Sequence, residues 1–324
     1  MGTLYIDRKN IHVKLDGNAL AFYANGVREG IAPVNPLSRV VVVGAAVIET
    51  PVLHHLADAG VTVLFLSGRH TRFRGRLQGS LHNNGLLRVK QYEKLLAGFG
   101  VVWNQELVSR KIEGQLQLLT EAIDTRPDLR FDLTRASATL KVILERLRDG
   151  QRRETGTIRG LEGSAAAHYF SAYTRLFPPA LQFSHRNRRP PRDPVNALLS
   201  LSYTMLHHEL LRETEMIGLD PTIGFYHEFE YGRESLACDL VERFRPAADR
   251  FVWRTFADRG LSDRDFTRDG EEQGCYLKKA GRQRFYELYE QWGSAMRPSF
   301  TQYVRNLARR IMDGNEYGEN PVPE

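Results

Sequence analysis

The chain has 324 residues, with 45 lysines and arginines against 39 aspartates and glutamates, a formal charge of +6. A hydrophobic fraction of 42 % with 26 % charged residues excludes a disordered or fibrous chain, and the length suggests roughly two domains. The longest apolar stretch, 40–48, is too short to cross a bilayer as a helix, and the start MGTLYIDRKN has no apolar leader, so a cytoplasmic protein without membrane contact is expected.

The first 80 residues read as strands. Segments 4–7, 11–15, 19–24 and 27–32 are short, rich in β-branched and aromatic residues, and separated by turn pairs such as Asp16-Gly17 and Asn25-Gly26. Continuous apolar runs at 39–43 and 61–66 suit strands buried on both faces. Between them Thr50-Pro51 starts a short helix that Gly60 ends. Gly75, Gly79, Asn83, Asn84 and Gly85 predict a polar hinge, placed at 81–90.

Beyond the hinge, apolar residues recur at three- and four-residue steps through 86–96, 107–119, 140–147, 198–211, 235–244, 280–292 and 299–312. The expected fold class is therefore α+β: a small amino-terminal β-rich domain, 1–80, followed by a larger all-α domain, 91–324. The prolines of 178–194 predict an extended segment inside the helical part. Cys238 and Cys275 stand alone without metal-binding spacing, so neither structural zinc nor a disulfide framework is expected.

Three patches carry possible chemistry. Glu162 lies between Gly160 and Gly163 ahead of the run SAAAHYFSAY; it reads either as a helix-start cap or as a ligand that glycines leave approachable. His227 ends the turn-rich segment GLDPTIGFYH. Asp239 and Glu242, at i and i+3 on a helix, repel one another and call for a positive neighbour, either Arg243 and Arg245 or a divalent metal. Together Glu162, His227 and Glu242 offer two hard oxygen donors and one imidazole, a set suited to Mg2+ or Mn2+ rather than zinc. Arg186, Arg188, Arg189 and Arg192, in the proline-rich segment, could track phosphates or simply be solvated.

The run Arg186-x-Arg188-Arg189-Pro190-Pro191-x-Asp193-Pro194-x-Asn196-Ala197-Leu198-Leu199-Ser200, the segment GLDPTIGFYHEF and SLACDLVERFRPAAD resemble three signature blocks of the CRISPR-associated endonuclease/integrase, the larger subunit of the adaptation complex. The likeness extends over nearly the whole chain; Cys238 departs from it, standing where a small apolar residue is usual. The resemblance implies that Glu162, His227 and Glu242 are catalytic metal ligands and Asp239 their supporting acid, less sensitive to removal. It also implies a metal-dependent DNA endonuclease and integrase that inserts foreign DNA as new spacers at CRISPR repeats by phosphodiester transesterification. Expected partners are double-stranded and branched DNA, a second copy through the β-domain, and a small ferredoxin-like CRISPR-associated protein. The alternative is a non-catalytic, DNA-binding architectural subunit of the same complex.

Overall fold

The computed structural model describes residues 2–68, 70–79, 84–187, 190–268 and 274–313. The chain packs as two compact units, Met1–Leu81 with Arg264–Arg297, and His82–Asp263 with Pro298–Glu324.

In the first unit, β1 (Gly2–Ile6), β2 (Ile11–Asp16), β3 (Ala19–Ala24) and β4 (Val27–Pro33) follow the sequence reading closely. Strands β2, β3 and β4 form an antiparallel meander, and the turn before β4 places Asn25 at φ 50° and Gly26 at φ 79°, the left-handed pair that a tight hairpin requires. Next come β5 (Leu37–Val43), β6 (Ala46–Ile48), α1 (Thr50–Asp58), β7 (Thr62–Leu66) and β8 (Phe73–Leu77). Among the described residues one sheet runs β1-β5-β7-β8 and the other β4-β3-β2-β6. Strands β1, β5 and β7 are parallel, and the crossover that parallel pairing needs includes α1. Val40, Val42, Val52, Leu56 and Val63 from these elements share one core.

The polar stretch before residue 80 is not all linker: β8 pairs antiparallel with β7, and a Cβ on Gly79 would lie 2.1 Å from the Ala57 carbonyl oxygen. Of the expected hinge, 85–90 belongs to a helix and 81–83 lie outside the described residues.

The second unit is helical: α2 (Gly85–Leu96), α3 (Gly100–Thr125), α4 (Arg130–Arg148), α5 (Thr155–Tyr173), α6 (Pro194–Ile217) and α7 (Ser235–Ala257). Helix α3 packs against α4, α5 and α7, and α6 packs against α7. Two chain features set these contacts. A Cβ on Gly114 of α3 would stand 2.9 Å from the Pro246 side chain of α7, so glycine allows the close approach. Pro194 opens α6, with Asp193 as its cap accepting a hydrogen bond from the Asn196 amide at 2.8 Å.

After α7 the chain forms the antiparallel pair β9 (Phe266–Arg268) and β10 (Cys275–Leu277), then the long helix α8 (Lys279–Asp313). Residues 264–297, expected in the helical domain, cluster with the first unit. Tyr286 stacks on Tyr5 at 4.3 Å between ring centroids, and Arg282 holds Asp7 with two hydrogen bonds of 2.7 and 3.0 Å. Among the described residues no helix is long and apolar enough to cross a membrane.

Candidate active site

Helix α7 supplies the acidic face. Asp239, Glu242 and Asp249 recur at three- and seven-residue steps and all are buried. A helix presenting three buried carboxylates needs a partner for each, and each has one.

Asp239 organises the loop between α6 and α7. Its Oδ2 accepts hydrogen bonds from the amides of Phe225 (2.7 Å) and Tyr226 (2.9 Å). Its Oδ1 accepts from the His227 amide (2.9 Å) and faces His227 Nδ1 at 2.7 Å. A carboxylate only accepts, so Nδ1 of His227 is the donor, and in the neutral imidazole this tautomer leaves the lone pair on Nε2. The ion pair with Arg243 weighed from the sequence is not the arrangement found. Other buried amides clamp the same loop: Gln91 of α2 donates to the carbonyls of Asp220 (2.9 Å) and Ile223 (2.7 Å), and Asn104 of α3 donates to that of Phe225 (2.8 Å). Gly224 is obligatory, because a Cβ there would lie 2.7 Å from Asp239 Oδ2.

Glu162 sits within α5, two turns past its start at Thr155, rather than at a helix opening. Its two glycine neighbours have no heavy atom within 4 Å of an added Cβ, so they leave open space beside the carboxylate rather than admitting another backbone. Lys111 of α3 reaches both glutamates: its Nζ contacts Glu162 Oε1 and lies 2.6 Å from Glu242 Oε2. Tyr226 Oη donates to Glu162 Oε2 at 2.7 Å, and Arg245 Nη1 pairs with Glu242 Oε1 at 2.9 Å. Burial would raise the Glu242 carboxyl, but Arg245 and Lys111 outweigh it and hold it at about 2.

Thus Glu162 and Glu242 converge on one cation, with His227 close enough to influence Glu242 electrostatically. Among the described residues no three histidine, cysteine, aspartate or glutamate side chains close on a common point as metal ligands do. The donor set nevertheless fits a hard divalent ion, since two carboxylates already share a positive charge and an imidazole lone pair is oriented by a carboxylate behind it. Lys111 and Tyr226 escaped the sequence reading. Lys111 had a signal: Asn104, Lys111 and Gln115 are polar residues at helical spacing on the buried side of α3.

A second buried network lies two helical turns beyond, at Asp249. Asp249 accepts from Tyr169 Oη at 3.0 Å and from Tyr203 Oη, while Tyr173 Oη donates to its backbone carbonyl at 2.8 Å. Burial pushes the Asp249 carboxyl up to about 6 despite these donors. A carboxyl raised on folding favours the folded state below its unfolded pKa and loses that contribution as pH rises through the folded one. Stability should therefore fall by on the order of 3 kcal/mol between about pH 4 and 6 from this group. Denaturant unfolding across that range is expected to show the slope in the wild type and a flatter profile in Asp249→Asn.

The arginines of the proline-rich segment divide. Arg186 is turned inward, donating to Asn196 Oδ1 at 2.7 Å and Ser200 Oγ at 3.2 Å, with its guanidinium 5.5 Å from the Tyr203 ring centroid. It ties the segment to α6 instead of facing outward as a phosphate contact. Arg192 is exposed, and Arg188 and Arg189 lie outside the described residues.

Fold and site together describe a two-part α+β protein whose helical unit carries a buried cluster of acids and a histidine. Residues 4–291 match the family described as CRISPR associated protein Cas1, and the chain belongs to that family. It is 50% identical over 313 residues to CRISPR-associated endonuclease Cas1 1 of Thermodesulfovibrio yellowstonii, covering 97% of this chain and 98% of the relative. Among solved structures it resembles a CAS1 protein from Thermotoga maritima, with TM-score 0.83 and 22% identity over 99% of this chain and 100% of that one. A casposase bound to integration product gives TM-score 0.77 and 20% identity, covering 100% of this chain and 96% of the other. These two structural likenesses show a shared fold.

Proposed function

We propose that the protein is a divalent-metal-dependent DNA endonuclease and integrase that joins foreign DNA to CRISPR repeats by phosphodiester transesterification. The observation that carries this reading is the convergence of Glu162 and Glu242 on one buried positive charge, with His227 held by Asp239 beside them. Membership of the Cas1 family and the half-identical relative named an endonuclease support it.

Glu162, Glu242 and His227 Nε2 would hold Mg2+ or Mn2+. When bound, such an ion neutralises charge on a phosphodiester and eases departure of a 3′ oxygen. The chain's own residues do the positioning: Asp239 fixes the imidazole and the loop backbone, and the Tyr226 hydroxyl orients Glu162. The nucleophile is the 3′-hydroxyl of incoming DNA in integration and water in cleavage. Double-stranded and branched DNA are the substrates, and a second copy and a small ferredoxin-like protein the partners, as the family resemblance implies.

Purified protein is expected to nick supercoiled and branched DNA with Mn2+ and to lose this on chelation. DNA binding with no metal-dependent nicking would instead favour the architectural subunit. Replacing Arg188, Arg189 and Arg192 together by alanine should make the slope of log K against log salt shallower by up to about 0.9 for each lost duplex contact. The measurement is fluorescence anisotropy over a salt series, and an unchanged slope would assign DNA binding to other arginines.

A further inference from the structure

We infer that Lys111 is a resident counter-ion which a divalent metal must displace, so that this lysine sets the metal affinity of the site. The inference rests on the proposed reading that Glu162 and Glu242 hold the metal.

The lysine side chain is 7% exposed, and the glutamates it bridges are 20% and 3% exposed. A buried and a partly buried carboxylate facing one another repel, and in a poorly solvated site such repulsion is costly unless a cation stands between them. The ammonium is that cation. It takes one oxygen from each glutamate, while Tyr226 and Arg245 take the other two, so all four carboxylate oxygens are engaged. The arrangement holds the two acids together in advance. It also opposes a second cation: an ammonium and a divalent ion sharing the same two carboxylates repel each other at short range. Metal entry therefore requires Nζ to leave at least one glutamate, and the free energy of that exchange is subtracted from the binding affinity. Arg245 forms its ion pair with Glu242 and acts on Glu162 only through space, so it does not fill the same bridging role.

The test is calorimetric titration of the full chain with Mn2+, comparing wild type with Lys111→Met and Lys111→Arg. Methionine keeps an unbranched apolar stem one atom shorter and removes the charge; arginine keeps the charge. The Lys111→Met protein is expected to bind Mn2+ at least about tenfold more tightly and to melt lower without metal, with added Mn2+ closing the gap to wild type. Lys111→Arg should show no gain in affinity. Mn2+ binding by Lys111→Met equal to or weaker than wild type would overturn the inference while leaving the metal reading standing. No Mn2+ binding by wild type would overturn both. Should Lys111→Met fail to fold, amine acetylation of wild type followed by mass spectrometry decides: labelling of Lys111 should rise several-fold with Mn2+, and equal labelling would overturn the displacement.

Discussion

Glu162→Gln, His227→Ala and Glu242→Gln are each expected to lower metal-dependent strand cleavage and joining by about 10²- to 10³-fold, the range usual for loss of a principal charge-stabilising group. The two glutamine variants remove the negative charge that holds a cation, and His227→Ala removes the ring nitrogen. Their effects on stability should differ, because the partners differ. Glu242 is 3% exposed and paired with both Lys111 and Arg245, so neutralising it leaves the buried Lys111 and the partly buried Arg245 short of a counter-charge. Breaking a buried pair from one side costs about 3–5 kcal/mol, and Glu242→Gln should be destabilised by an amount of that order. His227 is 23% exposed, and its replacement should be tolerated better by the fold. Nicking assays beside denaturant melts separate the two effects. Wild-type turnover at saturating Mn2+ in any of the three would remove that residue from the proposed set.

Asp239→Ala is expected to be nearly as damaging, although the sequence and the resemblance point to a smaller effect. The side chain is fully buried and accepts from three consecutive backbone amides and one imidazole. Alanine would orphan those amides at about 1–3 kcal/mol each and release His227 from its tautomer. A loss of about 10- to 100-fold in cleavage, with lowered stability, is the expected outcome. Gly224→Ala should reproduce part of it by pushing a methyl group against the same carboxylate. Wild-type Mn2+ affinity and nicking rate in Asp239→Ala would show that the loop holds His227 without it.

Much of the fold could be read locally. Turn pairs and alternation marked β1 to β4, the all-valine run marked β5, and three-and-four periodicity marked the long helices, because each signal resides in a handful of neighbouring residues. What escaped depends on distant partners. Strand β8, FRGRL, alternates arginine with glycine and apolar residues, and only pairing with β7 makes it a strand. Residues 264–297 look helical or irregular in isolation, and Asp7 and Tyr5 bind them from across the chain.

The site divides in the same way. Asp239, Glu242 and His227 were legible from the helix spacing and the loop beside it. Glu162 was found for its glycines but placed at a helix start, because glycines read locally as a boundary even though α5 continues through them. Arg186 read as a free cation until Asn196 and Ser200, ten and fourteen residues on, supplied its partners. Lys111 lay inside an apolar period that masked its one use, bridging two glutamates that are 51 and 131 residues away in sequence.

The central claim is that Glu162, His227 and Glu242 together hold the divalent ion on which DNA cleavage and joining depend. Anomalous scattering from manganese-soaked crystals, recorded at the manganese absorption edge, tests it most directly. Expected is one strong peak bonded to Glu162, Glu242 and His227 Nε2, with the Lys111 ammonium withdrawn from at least one glutamate. A manganese peak bound elsewhere, with Lys111 still bridging the two glutamates, would contradict it.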